Sequence, residues 1–280
     1  MKNLSKELVI ATCILCIVVV CIVFLNPRSA KEVKIPRVQG DANGFAVVEL
    51  FTSEGCSSCP PADELVAKLQ KDNPLSQLYI LGYHIDYWDH QGWNDKFSDP
   101  NYSLRQTKYA DWFDLRSIYT PQIVVNGKTE LVGTDRNALL AAISAGLKQT
   151  PANSLTMKCS MEKGRIDLDY QTNAATEQAF LVIALIQRSG QTNVTAGENA
   201  GRKLAHVQIV RKLVMETLHS DVGKVSLAIP EDCKSNDLEL IGFIQKKTNG
   251  TILSVAKYDF VSLAKEADDS HIVAAEAHGP

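Results

Sequence analysis

The chain has 280 residues, 45% hydrophobic and 22% charged, with a formal net charge of −3 at neutral pH. The length accommodates one or two domains. The slight acidic balance lacks the basic excess that nucleic-acid binding draws on, so no nucleic-acid partner is expected.

Residues 8–25 form an eighteen-residue run without a charge, preceded by Lys2, Lys6 and Glu7. That is long for a signal-peptide core and just long enough to cross a bilayer. No A-x-A cleavage pattern follows, and Cys21 sits after valines, a poor context for lipidation. The reading is an uncleaved, single-pass anchor in the cell membrane; the alternative is a cleaved signal and a secreted protein. Lys2 and Lys6 precede the run, whereas Arg28, Lys31, Lys34 and Arg37 follow it, a count that argues against an outward-facing body. A short N-terminus before a large body with paired cysteines argues for export, and an extracytoplasmic, periplasmic location is expected. Residues 26–44, with two prolines and mixed charge, read as a tether.

The next stretch, residues 47–63, is V-V-E-L-F-T-S-E-G-C-S-S-C-P-P-A-D. A short apolar strand leads through a turn to Cys56 and Cys59, and Pro60 and Pro61 open a helix running to about residue 71. Two prolines fit only the first turn, where no N–H is needed for a helical bond. Free N–H groups and the dipole at that end favour negative charge and stabilise a thiolate. The thiolate is the nucleophile in disulfide exchange. Cys56 is therefore expected to be the exposed, attacking sulfur and Cys59 the more buried, resolving one. A structural disulfide, half a zinc site or two idle thiols are the alternatives, and the strand–C-x-x-C–helix setting favours redox chemistry over them. Glu49, within the strand, is either a surface residue or a buried carboxylate close enough to take the Cys59 proton.

Residues 78–85 read as a second strand and residues 86–98, D-Y-W-D-H-Q-G-W-N-D-K-F-S, as an aromatic and polar loop. His84, Asp86, Asp89 and His90 are metal-ligating types, but their spacing matches no metal motif. No metal or other cofactor is expected. Tyr87, Trp88 and Trp93 pack over a core edge or rim a groove. Asp99 caps a helix that Pro100 begins and that ends near Phe113. A third strand, entered through Thr120 and Pro121, turns at Asn126-Gly127 into a fourth. Arg136 opens a helix to Leu147. The order β, α, β, α, β, β, α, with the dithiol after the first strand, is that of thioredoxin.

Beyond a linker at residues 149–154 the pattern alternates in twos. Residues 155–161 and 166–170 and apolar runs near 179–187, 204–215, 223–229, 237–246 and 251–260 predict seven strands of a β-sandwich domain. Glu198, Asn199, Arg202 and His206 lie in or after a glycine-flanked loop; a plain hairpin loop is favoured over a polar contact with the first domain. Cys159 and Cys233 share the inward parity of their neighbours. They are either a structural disulfide or two separate buried thiols. Residues 263–280 lack a packing pattern and read as a disordered tail.

Residues 46–148 resemble a thioredoxin-fold domain. The motifs F-T-S-E-G-C-S-S-C-P-P-A-D, H-I-D-Y-W-D-H-Q-G-W, Y-T-P-Q-I-V-V-N-G and G-E-N-A-G-R-K-L-A-H-V resemble, over about residues 45–260, a family of secreted or membrane-attached bacterial proteins of unknown function with a thioredoxin-like domain. The resemblance implies a dithiol but no established substrate. It also implies that Pro121 is a cis-proline opposite the dithiol, with Thr120 before it, both positioning substrate. A proline at a strand start also withholds a ladder donor, leaving neighbouring backbone groups for an extended substrate.

The expected architecture is thus an α/β thioredoxin-like domain (45–150), an all-β sandwich domain (151–262) and an N-terminal transmembrane helix. The expected function is a membrane-tethered thiol–disulfide oxidoreductase acting on a protein thiol or disulfide partner. A binding or scaffold protein with an inert disulfide, and a metal carrier using the two thiolates, are the alternatives.

Overall fold

The computed structural model describes residues 44–73 and 77–260. Among them, eleven strands outnumber three α-helices. The strands are β1 Ala46–Thr52, β2 Leu78–His84, β3 Gln122–Val125, β4 Thr129–Val132, β5 Leu155–Glu162, β6 Arg165–Thr172, β7 Ala179–Asn193, β8 Lys203–Thr217, β9 Val222–Ala228, β10 Leu238–Lys246 and β11 Ile252–Asp259. The helices are α1 Pro60–Asp72, α2 Pro100–Phe113 and α3 Arg136–Leu147.

Local chemistry sets these boundaries. Pro60 and Pro61 occupy the first turn of α1. Asp99 caps α2 by accepting from the Asn101 N–H, and Asp135 caps α3 by accepting from the Ala138 N–H. Asn126 and Gly127, both at positive φ, make the β3–β4 turn. The Asn126 side chain also accepts from the Val47 N–H at 2.7 Å and donates to the Phe45 carbonyl at 3.0 Å, locking the hairpin to β1.

The strands form an eight-stranded mixed sheet, β11-β10-β7-β8-β2-β1-β3-β4, and a three-stranded sheet, β5-β6-β9. This corrects the expected thioredoxin-like α/β domain followed by an all-β sandwich. Four of the seven strands assigned to the sandwich continue the sheet begun by β1 to β4, and strand dominates the protein. The join is parallel pairing of β2 with β8 at Gly82 and Ile209. The missing side chain eases this approach: a Cβ on Gly82 would meet the Val207 carbonyl oxygen at 3.3 Å and that of Gln208 at 3.4 Å.

β7 shows why the sheet runs on. Val182, Ala184 and Ile186 enter one core with Phe51, Tyr83, Tyr102, Tyr109 and Phe243. Leu181, Ile183 and Leu185 enter a second core beneath the three-stranded sheet, with Ile166, Leu168, Leu227 and Leu240. A strand buried on both faces needs a continuous apolar run, which L-V-I-A-L-I supplies.

The expected membrane span at residues 8–25 and the tail at 263–280 lie outside the described residues. Among the described residues, no helix is long and apolar enough to cross a membrane. Of the two readings of Cys159 and Cys233, the structure has the separate thiols: both are free. Through β6, Cys159 aligns with Leu168 and Val225. β9 ends at Ala228, so Cys233 lies well past that level, beside Arg211 and Asp232. Shared parity put the two side chains on one face but not at one height.

Candidate functional site

At the end of β1, the Thr52 hydroxyl donates to Asp63 Oδ2 at 2.9 Å, fastening the strand to the first turn of α1. Between them Cys56 and Cys59 are joined by a disulfide, with Cα atoms 5.4 Å apart. The Cys59 carbonyl already accepts from the N–H groups of Ala62 and Asp63, which starts the helix at the second cysteine. Ser57 and Ser58 are exposed, but both cysteines are 0% exposed. The expected exposed Cys56 is therefore covered in the disulfide form.

Thr120 and Pro121 lie beside the dithiol segment, and the bond between them is cis, as the resemblance implied. A Cβ on Gly133 would meet Pro121 Cβ at 2.9 Å and Ala62 Cβ at 3.1 Å, so the proline flanks the first turn of α1. Thr120 Oγ1 accepts from Trp88 Nε1 at 2.8 Å. Trp88 in turn stands against Gly55, where an added Cβ would come within 3.0 Å of its own Cβ.

Glu49 is buried, as one of its two readings held, but it faces away from the dithiol side. Alternation along β1 sends Glu49 and Phe51 towards α2 and Thr52 towards α1. Arg105 Nε donates to Glu49 Oε1 at 2.6 Å and the Tyr109 hydroxyl donates to Oε2. Gln245 Nε2 adds a bond to the Tyr109 oxygen at 2.9 Å. Both carboxylate oxygens are thus occupied by partners from α2, on the face opposite Asp63.

The charged groups on the dithiol face form a different cluster. His84 Nδ1 and Asp95 Oδ2 are 2.6 Å apart, and the same Asp95 oxygen accepts from the Glu54 N–H at 2.9 Å. Burial opposes the Asp95 charge, yet His84 and the N–H groups of Glu54 and Phe97 outweigh it and hold the carboxyl below its usual range. Trp93 Nε1 donates to Glu54 Oε2 at 2.8 Å. His206, from β8, stacks edge-on against His84 with ring centres 4.6 Å apart. Its Nε2 is 3.4 Å from Glu54 Oε1 and its Nδ1 is 3.4 Å from Asp63 Oδ1. Burial works against a charged ring. Asp63 and Glu54, with the field of Asp95, overcome it and raise the pKa to about 10, so His206 is an imidazolium at neutral pH.

The loop before β8 completes the site. Asn199 Nδ2 donates to the carbonyls of both Glu54 and Cys56 at 2.9 Å, while Arg202 Nη1 donates to Asn199 Oδ1 at 2.8 Å. Glu198 Oε2 accepts from the Ser57 N–H at 3.1 Å. The polar contact with the first half, weighed against a plain hairpin loop, is what the structure contains. Its signal in the sequence was the charged and amide content of G-E-N-A-G-R, followed by a histidine inside a strand. Of the residues considered as metal ligands, Asp86 takes Ser103, Asp89 takes Ser98, and His90 is exposed. Among the described residues, no three His, Cys, Asp or Glu side chains are grouped to hold a metal ion.

These features define a strand-dominated protein with a buried C-x-x-C disulfide at a helix N-terminus, backed by an ionised histidine–carboxylate cluster. The family described as protein of unknown function (DUF1223) matches residues 47–245, and the chain belongs to it. No curated protein matches. The chain is similar to a structural-genomics crystal structure of a protein from Agrobacterium tumefaciens, at 24% identity and a TM-score of 0.60, covering 79% of this chain and 96% of that one. That likeness shows a shared fold. A domain of the outer membrane lipoprotein Omp28 from Porphyromonas gingivalis matches at 10% identity over 40% of this chain and 89% of that one, with a TM-score of 0.28.

Proposed function

We propose that the protein is an exported thiol–disulfide oxidoreductase working through Cys56 and Cys59. The observation that carries this reading is the disulfide at the N-terminus of α1, where the helix dipole favours a thiolate once the bond opens. In the oxidising direction, a substrate thiolate attacks Cys56 Sγ. The Cys56–Cys59 bond breaks, its electron pair leaves on Cys59, and that sulfur takes up a proton. A second substrate thiolate then attacks the substrate sulfur of the mixed disulfide and expels Cys56. Two electrons have passed from the substrate dithiol to the protein, and the reverse sequence reduces a substrate disulfide. Thr120 and Pro121, beside the first turn of α1, are assigned to positioning the substrate. Asp63, one turn after Cys59, replaces Glu49 as the carboxylate on the sulfurs' side of the sheet. Export rests on the apolar run at residues 8–25 and on the disulfide, a bond that persists outside the reducing cytosol.

A second reading has its own observation. Complete burial of both cysteines suits an inert structural disulfide in a binding protein. The reduction potential separates the two: an exchange protein lies well above about −300 mV, and an inert bridge below it. A Cys59→Ala variant should retain mixed-disulfide partners on Cys56 when expressed in its own compartment. A potential below the threshold, with no trapped partner, rejects the oxidoreductase.

A further inference from the structure

The segment from Val194 to Arg202 reaches across from the second half of the chain to the dithiol turn. Asn199 is 1% exposed, and its side chain is a primary amide, the chemical group of the peptide bond. Its two N–H groups serve the carbonyls of Glu54 and Cys56, and its oxygen is held by Arg202. Glu198, next to it, occupies the Ser57 N–H. The loop holds its shape through Gly201 N–H to Val194 carbonyl and Ala200 N–H to Gly197 carbonyl bonds. Gly197 and Gly201 adopt φ of 70° and 82°, which other residues reach only under strain. A loop from elsewhere in the chain therefore supplies hydrogen bonds to the backbone on either side of Cys56, one half of a disulfide that is 0% exposed.

Resting on the exchange activity proposed above, we infer that this loop is an internal occupant of the substrate position. The substrate class is then an extended, cysteine-bearing polypeptide, and Asn199 and Arg202 are the residues that decide access. An incoming chain displaces Asn199. Its own backbone N–H takes the Cys56 carbonyl, and its carbonyl takes the Arg202 guanidinium. A small thiol cannot make those replacement bonds and must wait for the loop to open unaided. The recognition is of backbone, so it carries no demand on side-chain sequence beyond the cysteine.

The test measures the rate at which the oxidised full-length protein is reduced by 2-mercaptoethanol, which has no amide group, and by an unstructured cysteine-containing peptide, each rate divided by that of the same thiol on a free small-molecule disulfide. Wild type, Asn199→Ala and Arg202→Ala are compared, with circular dichroism to confirm the fold. Wild type should favour the peptide. Both variants should speed reduction by 2-mercaptoethanol about tenfold or more, the effect of losing one or two net hydrogen bonds from the closed loop, and should lose the preference for the peptide. Asn199→Ala leaves two carbonyls without their donor; if it does not fold, Arg202→Ala, whose side chain is exposed, decides alone. Unchanged 2-mercaptoethanol rates in a folded variant, or no peptide preference in wild type, overturn the inference. A potential below about −300 mV removes the exchange function instead, and leaves these relative rates to report on the loop separately.

Discussion

The imidazole of His206 on β8 lies 3.4 Å from the carboxylate of Asp63 on α1, joining the second half of the chain to the helix that carries the dithiol. The contact exists because β8 pairs with β2 and so brings a strand from beyond residue 200 alongside the first βα unit. A buried ring beside Asp63, Glu54, Asp95 and His84 stays charged only because carboxylates approach it from α1, from the dithiol turn and from the loop after β2.

That charge makes stability depend on pH. The folded pKa of His206 is about 10, above its ordinary value of 6.5. A raised pKa means the folded state holds the proton more tightly, so the stabilisation is complete below about pH 6.5 and drains away as pH rises through 10. His206→Gln should lower the melting temperature at pH 6 and by progressively less towards pH 10.5. Melting curves of the two proteins that stay a constant distance apart across that range contradict the charged ring.

Glu49 and Arg105 form a buried pair on the other face of the sheet. Removing one partner strands the other charge. Glu49→Ala should therefore cost about 3–5 kcal/mol in denaturant unfolding, the range for breaking such a pair. The reduction potential of Cys56–Cys59 should not move, because the carboxylate faces α2 rather than the sulfurs. A shift of the potential in a folded Glu49→Gln protein would restore Glu49 to the exchange chemistry.

Much of the local structure was legible in the sequence. The proline pair at 60 and 61 marked the first helix and Asp99 with Pro100 the second, Asn126-Gly127 marked the hairpin, and the C-x-x-C sat where a strand becomes a helix. The shared sheet was not, because pairing between strands more than 120 residues apart leaves no local mark. Two clues pointed to it: L-V-I-A-L-I in β7, too continuous for a strand with one wet face, and Gly82 in the middle of β2. The same distance hid the site. His206, Asn199 and Arg202 reach the dithiol only through that pairing, whereas Glu49 looked close in sequence and faces away by the parity of a single residue.

Cys159 and Cys233 should be found unbridged when the oxidised protein is denatured and alkylated, with each cysteine located by peptide mapping. In the native state Cys159 should react far more slowly than a free cysteine at pH 8. Burial, helped by the nearby Asp169 charge, pushes its pKa up to about 12, so almost no thiolate is present. Recovery of a Cys159–Cys233 peptide pair refutes the placement of the two thiols.

The join between β2 and β8 can be tested at Gly82. A Cβ there would press on the backbone oxygens of Val207 and Gln208 at 3.3 and 3.4 Å, and neither oxygen can swing aside as a side chain would. Valine adds two methyl groups at the same point, so Gly82→Val must push β8 away from β2. The expected cost is about 1–3 kcal/mol, as for other overpacked sites, seen as a lower denaturation midpoint. The displacement should also loosen His206 from Asp63 and draw the loop at Asn199 off the dithiol turn, since both are attached to β8. Faster reduction of the disulfide by a small thiol should therefore accompany the loss of stability. Either change without the other separates the sheet from the site, and a variant as stable as wild type shows that β8 does not press on β2 at this glycine.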